Sequence, residues 1–195
     1  MPEMIRDGTG SGSLARVNSD NQLVTRAIGV EQRLKSTLDF NYFEATTGQV
    51  TLTDAVETGI IYLKNLITDG RVLVIDRVFC DIWTSTNGSG ADGTLKYYLN
   101  PTITGGTIIT PNNTNFGSTI AATGTFLKST TTISGNAWWT GYSTDKTSVI
   151  FEEGRIVVPS GSSFAISCAA PTGNTSMKIS INVAFYYFDK NLVGD

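Results

Sequence analysis

The chain has 195 residues, of which 40% are hydrophobic and only 16% are charged, whereas about a quarter of residues are charged in typical globular proteins. Its 14 Lys and Arg residues against 17 Asp and Glu residues give a net charge of −3, which argues against a basic nucleic-acid-binding surface. Histidine is absent, which excludes Ser-His-Asp and Cys-His catalytic arrangements, His-based metal sites and the commonest general base.

The chain begins with MPEMIRDG, which lacks the apolar segment of a secretory signal. The sequence contains no run of about 18 apolar residues, which is the length that would predict a membrane span. We therefore expect a protein that is made in a cytoplasm and has no membrane partner.

Residues 7–13 read DGTGSGS, with a glycine at every second position. A dinucleotide fingerprint requires G-x-G-x-x-G between a strand and a helix, and a P-loop requires Gly-Lys-Ser/Thr, so neither phosphate-binding motif is present. Gly and Ser are costly to order, which favours a flexible tether or an arm that orders on a partner. Two extended pieces, LARV and QLVTRAI, follow around an Asn-Ser-Asp-Asn turn.

Residues 30–43 fit either a short helix or a connecting arm, because Leu34, Leu38 and Tyr42 have helical spacing. From residue 45 onward the pattern predicts strands separated by Gly, Pro and Asn turns. The expected strands cover residues 59–66, 72–83, 95–99, 125–133, 148–151, 155–158, 164–169 and 177–188. A bulge or bend is expected near Asp76. The last strand shows the clearest period of two, with one apolar face and a second face that begins polar and then becomes aromatic.

This pattern predicts an all-β protein with a single jelly-roll-like β-sandwich, preceded by an extended N-terminal arm. We place the arm at residues 1–43 and the sandwich at residues 44–195. The two cysteines, Cys80 and Cys168, lie in apolar runs and are expected to be reduced and buried, although their positions leave a disulfide open.

The candidate binding residues outside the arm are Trp138, Trp139 and Tyr142, in a Gly/Ser-rich segment read as a loop. Such aromatic residues either close the end of the core and pack on a neighbouring subunit or stack on sugar rings. Glu152 and Glu153 are expected in a solvated turn, since adjacent carboxylates on a strand point to opposite faces. No spaced calcium-loop pattern is present, and we predict no catalytic residues, metal or cofactor.

The segment IRDGTGSGSLARVNSDNQLVTRAI resembles the N-terminal part of virion structural proteins of tailed bacteriophages. There a DGTGSG stretch precedes an alternation that ends in an Asn-x-Leu turn. The segments VTLTDAVETGIIYLKN and VPSGSSFAISCAAPTGNTSMKISINVAF are similar to β-sandwich parts of these proteins. The resemblance implies a capsid decoration, head-fibre or tail component without catalytic residues.

We therefore expect a virion protein, assembled in the host cytoplasm, that docks on the major capsid protein or another virion protein. The sandwich is expected to form a homo-oligomer, with a trimer favoured. The alternative is a tail or fibre module that binds a host receptor or glycan through Trp138 and Trp139. The residues expected to dock the arm are Asp7, Gly8, Gly10, Gly12, Leu14, Val17 and Leu23.

Overall fold

The computed structural model describes residues 4–6, 14–17, 23–24, 41–53, 55–83, 93–143, 148–173 and 177–189. The chain divides into two compact units, Met1–Glu31 and Gln32–Asp195. All strands in the described residues pair antiparallel, which confirms the all-β class.

The first unit contains a three-stranded sheet in the order β1-β2-β3. Its strands are β1 (Met4–Arg6), β2 (Leu14–Val17) and β3 (Leu23–Val24). Strand β2 is the LARV piece, and β3 lies in the second expected extended piece. The Asn-Ser-Asp-Asn turn between them lies outside the described residues.

The second unit contains two six-stranded sheets and a two-stranded ribbon. One large sheet has the order β11-β4-β17-β7-β15, with β5 also paired to β17, and the other has the order β10-β12-β6-β16-β8-β14. The ribbon pairs β13 with β9. The strands are β4 (Tyr42–Thr46), β5 (Val50–Thr51), β6 (Glu57–Asn65), β7 (Arg71–Trp83), β8 (Gly93–Leu99), β9 (Thr102–Thr104), β10 (Thr107–Ile108), β11 (Asn112–Asn113), β12 (Gly124–Thr130), β13 (Thr132–Ser134), β14 (Ala137–Ser143), β15 (Ser148–Val158), β16 (Ser163–Ala169) and β17 (Lys178–Asp189).

The two large sheets bury a common core, because each contributes one apolar face. Strand β17 shows the reason most directly, since Ile179, Ile181, Val183 and Phe185 occupy every second position on one face and are all buried. The ring of Phe126 in the other sheet stacks on the ring of Phe185, and the two ring centroids lie 5.4 Å apart. The expected alternation in the last strand is therefore confirmed, and the architecture is sandwich-like.

The β9–β13 ribbon lies on the outer face of the second sheet. Its Ile103 and Ile133 pack against the buried side chains of Tyr62, Tyr98 and Ala165. The ribbon thus covers part of the outer face of that sheet. Because Ile103 and Ile133 are the apolar residues of otherwise Thr-rich strands, burying them explains why this short ribbon forms.

Asp76 is the extra residue of a bulge in β7. Its neighbour Arg77 pairs with Ala184 of β17, while Ile75 pairs with Phe185, so the register of the two strands skips Asp76. The bulge expected near this residue is confirmed. It keeps Ile75 and Val78 both directed at the core although they are three positions apart.

Three expected local features differ from the structure. Tyr42 and Phe43 lie in β4, whereas the pattern assigned them to the arm, and residues 30–40 lie outside the described range. Trp138 and Trp139 lie in strand β14 rather than in a loop, because β14 hydrogen-bonds to β8. Residues 148–158 form one strand with an irregular register between Phe151 and Ile156, so Glu152 and Glu153 do not lie in a turn between two strands.

Candidate functional site

The side chains of the adjacent residues Trp138 and Trp139 both pack against the buried ring of Tyr97. In a regular strand, consecutive side chains point to opposite faces, but the β14 register shifts between Ala137, opposite Tyr98, and Trp139, opposite Tyr97. Trp138 is therefore the extra residue of a bulge. The ring centroid of Trp138 lies 6.1 Å from that of Tyr97 at an interplanar angle of 22°, and that of Trp139 lies 4.8 Å away at 51°.

The core holds this aromatic group in place. Tyr97 is only 2% exposed and packs edge-on against Phe164, with centroids 5.4 Å apart. A Cβ atom on Gly141 would lie 2.2 Å from Cη2 of Trp139, so the indole lies directly over the glycine backbone. Both indoles thus pack on the buried ring of Tyr97, and the indole of Trp139 also packs on the backbone at Gly141.

Much of each indole still faces solvent. Trp138 is 54% exposed and Trp139 is 39% exposed, and the side chains from Ser134 to Thr140 are all exposed. No charged residue occurs in the sequence between Lys128 and Asp145. Among the described strands, β14 pairs with β8 alone and forms the end of its sheet. Exposed sheet edges usually carry charges or prolines that prevent pairing, so this edge has the character of a contact surface.

Tyr142 lies in the same edge strand as the two tryptophans, because its backbone in β14 pairs with Thr94 of β8. Its side chain lies outside the described residues. In the first unit, Leu14 pairs with Arg6, and Val17 pairs with Leu23. The remaining expected docking residues, Asp7, Gly8, Gly10 and Gly12, lie outside the described residues.

A second exposed surface was not expected from the sequence. The loop after β11 holds Phe116 at 98% exposure beside a cavity of about 440 Å³. The loop backbone is held by its own side chains, since Asn115 N donates to Asn113 Oδ1 at 2.9 Å and Gly117 N donates to Asn115 Oδ1 at 3.2 Å. The Asn-rich sequence correctly indicated turns, but no sequence signal told which way Phe116 points.

A charged cluster joins three strands on the outer face of the second sheet. Glu57 accepts hydrogen bonds from Lys96 Nζ at 2.7 Å, Tyr98 Oη at 2.6 Å and Ser167 Oγ at 2.5 Å. Burial raises the pKa of Glu57, but the hydrogen bonds from Lys96, Ser167 and Tyr98 together lower it by more. The pKa of Glu57 therefore lies below its usual value. Both carboxylate oxygens of Glu57 accept hydrogen bonds from Lys96 and Tyr98 of β8 and from Ser167 of β16. The arrangement therefore cross-links β6, β16 and β8.

The two cysteines are free thiols, and both are buried. Burial is the main reason for the raised pKa of Cys168, with smaller contributions from Cys80 and Glu57. Within the described part of the chain, no three His, Cys, Asp or Glu side chains come together as a metal site would require. No helix in that part is long and apolar enough to cross a membrane.

Comparisons with known proteins assign no family. The chain matches none of the protein-family models, and no curated protein is significantly similar to it in sequence. The geometry of the exposed edges is therefore the strongest guide to function.

Proposed function

We propose that this chain is a non-enzymatic structural protein of a tailed-bacteriophage virion, of the capsid decoration type. Its N-terminal arm attaches to the major capsid protein or another virion protein, and its sandwich forms a homo-oligomer, with a trimer favoured. The observation that carries the proposal is the charge-free edge strand β14 with its two exposed tryptophans. Large exposed aromatic residues at a rigid, charge-depleted surface are typical of protein interfaces.

The strand order supports a jelly roll, a fold common in viral capsid and lectin domains. Such a fold winds its strands as two Greek keys, so that the last strand lies between the first and third, and the seventh lies between the second and fourth. The strand orders β4-β17-β7-β15 in one sheet and β6-β16-β8-β14 in the other follow this pattern when β9 to β13 are treated as an insertion. The fold by itself does not define a function.

The division of the chain supports an attachment role for the N-terminal residues. Met1–Glu31 form a compact unit separate from Gln32–Asp195, with a three-stranded sheet of its own. An attachment element of this kind gains strength from repetition, because several arms on one oligomer act together.

Particle fractionation tests the proposal. Lysate from cells that produce the virus is separated on a density gradient, and fractions are probed with an antibody against the full chain. We expect the protein in the band of DNA-filled particles, retained after a moderate salt wash, and we expect a variant that lacks residues 1–31 to be lost from that band. A full chain that occurs only in slowly sedimenting fractions contradicts the proposal.

The second candidate is a tail or fibre module that binds a host receptor or glycan. The observation that favours it is that two partly exposed indoles both pack on Tyr97, because exposed aromatic faces stack on sugar rings. A glycan array with the full chain separates the two functions. The receptor function predicts selective binding that Trp138→Ala and Trp139→Ala abolish while oligomeric mass is unchanged, whereas the decoration function predicts loss of oligomeric mass and no glycan binding that depends on these tryptophans.

A further inference from the structure

Two cavities on the outer face of the sheet that contains β4, β17 and β7 share one side chain. The larger cavity, of about 440 Å³, lies beside the Phe116 loop and is also lined by Glu44. The smaller cavity, of about 270 Å³, is lined by Glu44, Arg77, Phe79, Asn182 and Ala184. Because Glu44 lines both, the two cavities meet at its side chain, and we call them together the Glu44 cleft.

Strand pairing forms the floor of this cleft. Glu44 of β4 lies opposite Ala184 of β17, and Ala184 lies opposite Arg77 of β7. Glu44 and Arg77 are therefore separated by one strand that carries a small side chain between them. Arg77 Nη2 donates a hydrogen bond of 3.0 Å to Glu44 Oε1 across that strand, so the ion pair lies at the centre of the cleft.

The ion pair leaves some of its polar groups unused. In the part of the chain that the structure describes, the single bond between Glu44 and Arg77 is the only hydrogen bond of either side chain. Their side chains are 35% and 39% exposed, respectively. A carboxylate only accepts hydrogen bonds and a guanidinium only donates them, so the pair offers an acceptor and several donors side by side.

The side-chain amide of Asn182 adds a further polar group. Its Oδ1 atom is buried and has no hydrogen-bond partner among the described residues, and a buried acceptor without a donor is costly. The last side-chain torsion of asparagine is roughly two-fold. The amide can therefore turn either its oxygen or its nitrogen towards a molecule in the smaller cavity.

Each of the two cavities also contains an aromatic side chain. Phe116 is 98% exposed beside the larger cavity, and the half-buried Phe79 lines the smaller one. The ion pair lies between these rings, because Phe116 follows β11, Phe79 belongs to β7, and β4 and β17 lie between β11 and β7. The cleft therefore combines apolar ring surfaces with hydrogen-bonding groups.

The paired charges of the cleft favour a neutral ligand. An anionic ligand would meet the carboxylate of Glu44, and a cationic ligand would meet the guanidinium of Arg77, which lies 3.0 Å from it. Placing like charges next to each other is unfavourable in a binding site. Phosphate, sulfate and metal ions are therefore poor ligands for this cleft.

The position of the cleft argues against an extended peptide. A peptide that adds a strand to a sheet requires an edge with unpaired backbone groups. Strand β4 is already paired with β11 and β17, and β17 is paired with β4 and β7. Recognition at this face therefore depends on side chains.

We propose that the Glu44 cleft binds a neutral saccharide. Neighbouring hydroxyl groups of a sugar both donate and accept hydrogen bonds, which matches a carboxylate, a guanidinium and an amide in one cleft, and the C–H face of a sugar packs on an aromatic ring. The larger cavity lies within the range of about 300–1,000 Å³ that is usual for small-molecule sites. This inference goes beyond the proposed function, and the site is separate from Trp138 and Trp139, which belong to the other large sheet.

An array of neutral and charged oligosaccharides, probed with the full chain, tests the ligand class. We expect selective binding of a neutral oligosaccharide. An array on which the chain binds nothing selectively, or binds only charged oligosaccharides, contradicts the inference.

Titration calorimetry with the selected oligosaccharide then tests the position of the site. Glu44→Gln keeps the size of the side chain and removes its charge, and we expect it to raise the dissociation constant at least about tenfold, because a hydrogen bond to a charged group is lost. Glu57→Gln is the matched control, since it removes the carboxylate of the ion pair with Lys96 on the outer face of the other sheet. We expect its dissociation constant to equal that of the natural chain, and circular dichroism verifies that both variants are folded.

Trp138→Ala separates this site from the second candidate function. We expect it to leave the affinity for the selected oligosaccharide unchanged. If Trp138→Ala abolishes binding while Glu44→Gln does not alter it, the saccharide binds at the tryptophans and the inference is wrong. Equal affinities of Glu44→Gln and the natural chain likewise overturn it.

The outcome for the proposed function is read separately. A chain that is found on DNA-filled particles but binds no saccharide refutes the Glu44 site and leaves the decoration role in place. A chain that binds a neutral saccharide through Glu44 but is absent from particles supports the site and contradicts the decoration role.

Discussion

Tyr42 Oη donates a hydrogen bond of 2.6 Å to Asp76 Oδ2, although the two residues lie on strands that are separated by β17. Both side chains are buried, and Asp76 is the extra residue of the β7 bulge. Tyr42 also stacks on Tyr186, with ring centroids 6.2 Å apart. The bond therefore ties the first strand of the sandwich to the irregular point of its central strand.

Replacing Tyr42 with Phe is expected to lower the free energy of unfolding by about 2 kcal/mol, because a buried carboxyl group loses one of its partners. Urea denaturation of Tyr42→Phe, Asp76→Ala and the double variant measures the coupling between the two side chains. Additive effects of the two single variants would show that the hydrogen bond contributes nothing.

Stability is expected to depend on pH through Glu57. The pKa of Glu57 lies below its usual value of 4.5, so the unfolded chain binds this proton more tightly than the folded chain does. The stabilisation is complete above the usual value and is lost as the pH falls through the folded one. The side chains of Glu57 and Lys96 are 27% and 31% exposed, and we expect a contribution of about 1 kcal/mol.

Urea midpoints between pH 7 and pH 3 test this contribution. Glu57→Gln is expected to be less stable than the natural chain at pH 7, and the difference is expected to shrink towards pH 3. Glu44→Gln is a matched control, since it removes a carboxylate that pairs with Arg77 at 3.0 Å on the outer face of the other large sheet. A constant difference between Glu57→Gln and the natural chain at all pH values would refute the expectation.

Gly59 is required by close packing against β12. A Cβ atom at this position would lie 1.9 Å from Thr130 Oγ1 and 3.2 Å from Thr130 Cβ. Thr130 is itself buried, and its hydroxyl has no hydrogen-bond partner within the described part of the chain. We expect Gly59→Ala to lower the free energy of unfolding by about 1–3 kcal/mol through overpacking.

A second substitution identifies the cause of that loss. Thr130→Ala removes the hydroxyl that the new methyl group would strike, so Gly59→Ala is expected to cost less in the Thr130→Ala background. Thermal denaturation of the two single variants and the double variant measures the difference. Equal costs in both backgrounds would mean that the Thr130 side chain is not the obstacle.

The buried thiols are expected to be unreactive in the folded protein. Burial, with a smaller effect of Asp81, raises the pKa of Cys80 to about 12, and burial raises the pKa of Cys168 to about 12. Since the thiolate is the reactive form, a disulfide reagent at pH 8 should modify both cysteines only when the chain unfolds. Modification at the rate of a free thiol in native buffer would show that this part of the core opens readily.

Local patterns in the sequence were sufficient to predict the strongest strands. One face of β17 is apolar along its whole length while the other begins with polar residues and then becomes aromatic, and β7 carries a nearly continuous apolar run. Both strands were therefore predicted within about one residue of their bounds. The bulge at Asp76 was predictable as well, because a charged residue interrupts that run. Strand β14 was not predictable, since its Gly, Ser and Asn neighbours indicate a loop and its pairing partner β8 is distant in sequence.

The sequence by itself determined the all-β class and the buried face of each strong strand, and it contains no histidine. Only the tertiary structure decided that Trp138 and Trp139 share Tyr97, that β14 ends a sheet and that Phe116 projects into solvent. The physical reason is the range of the interactions. Alternation is a property of neighbouring residues, whereas edges, bulges and exposed aromatic pairs depend on which distant strands hydrogen-bond to one another.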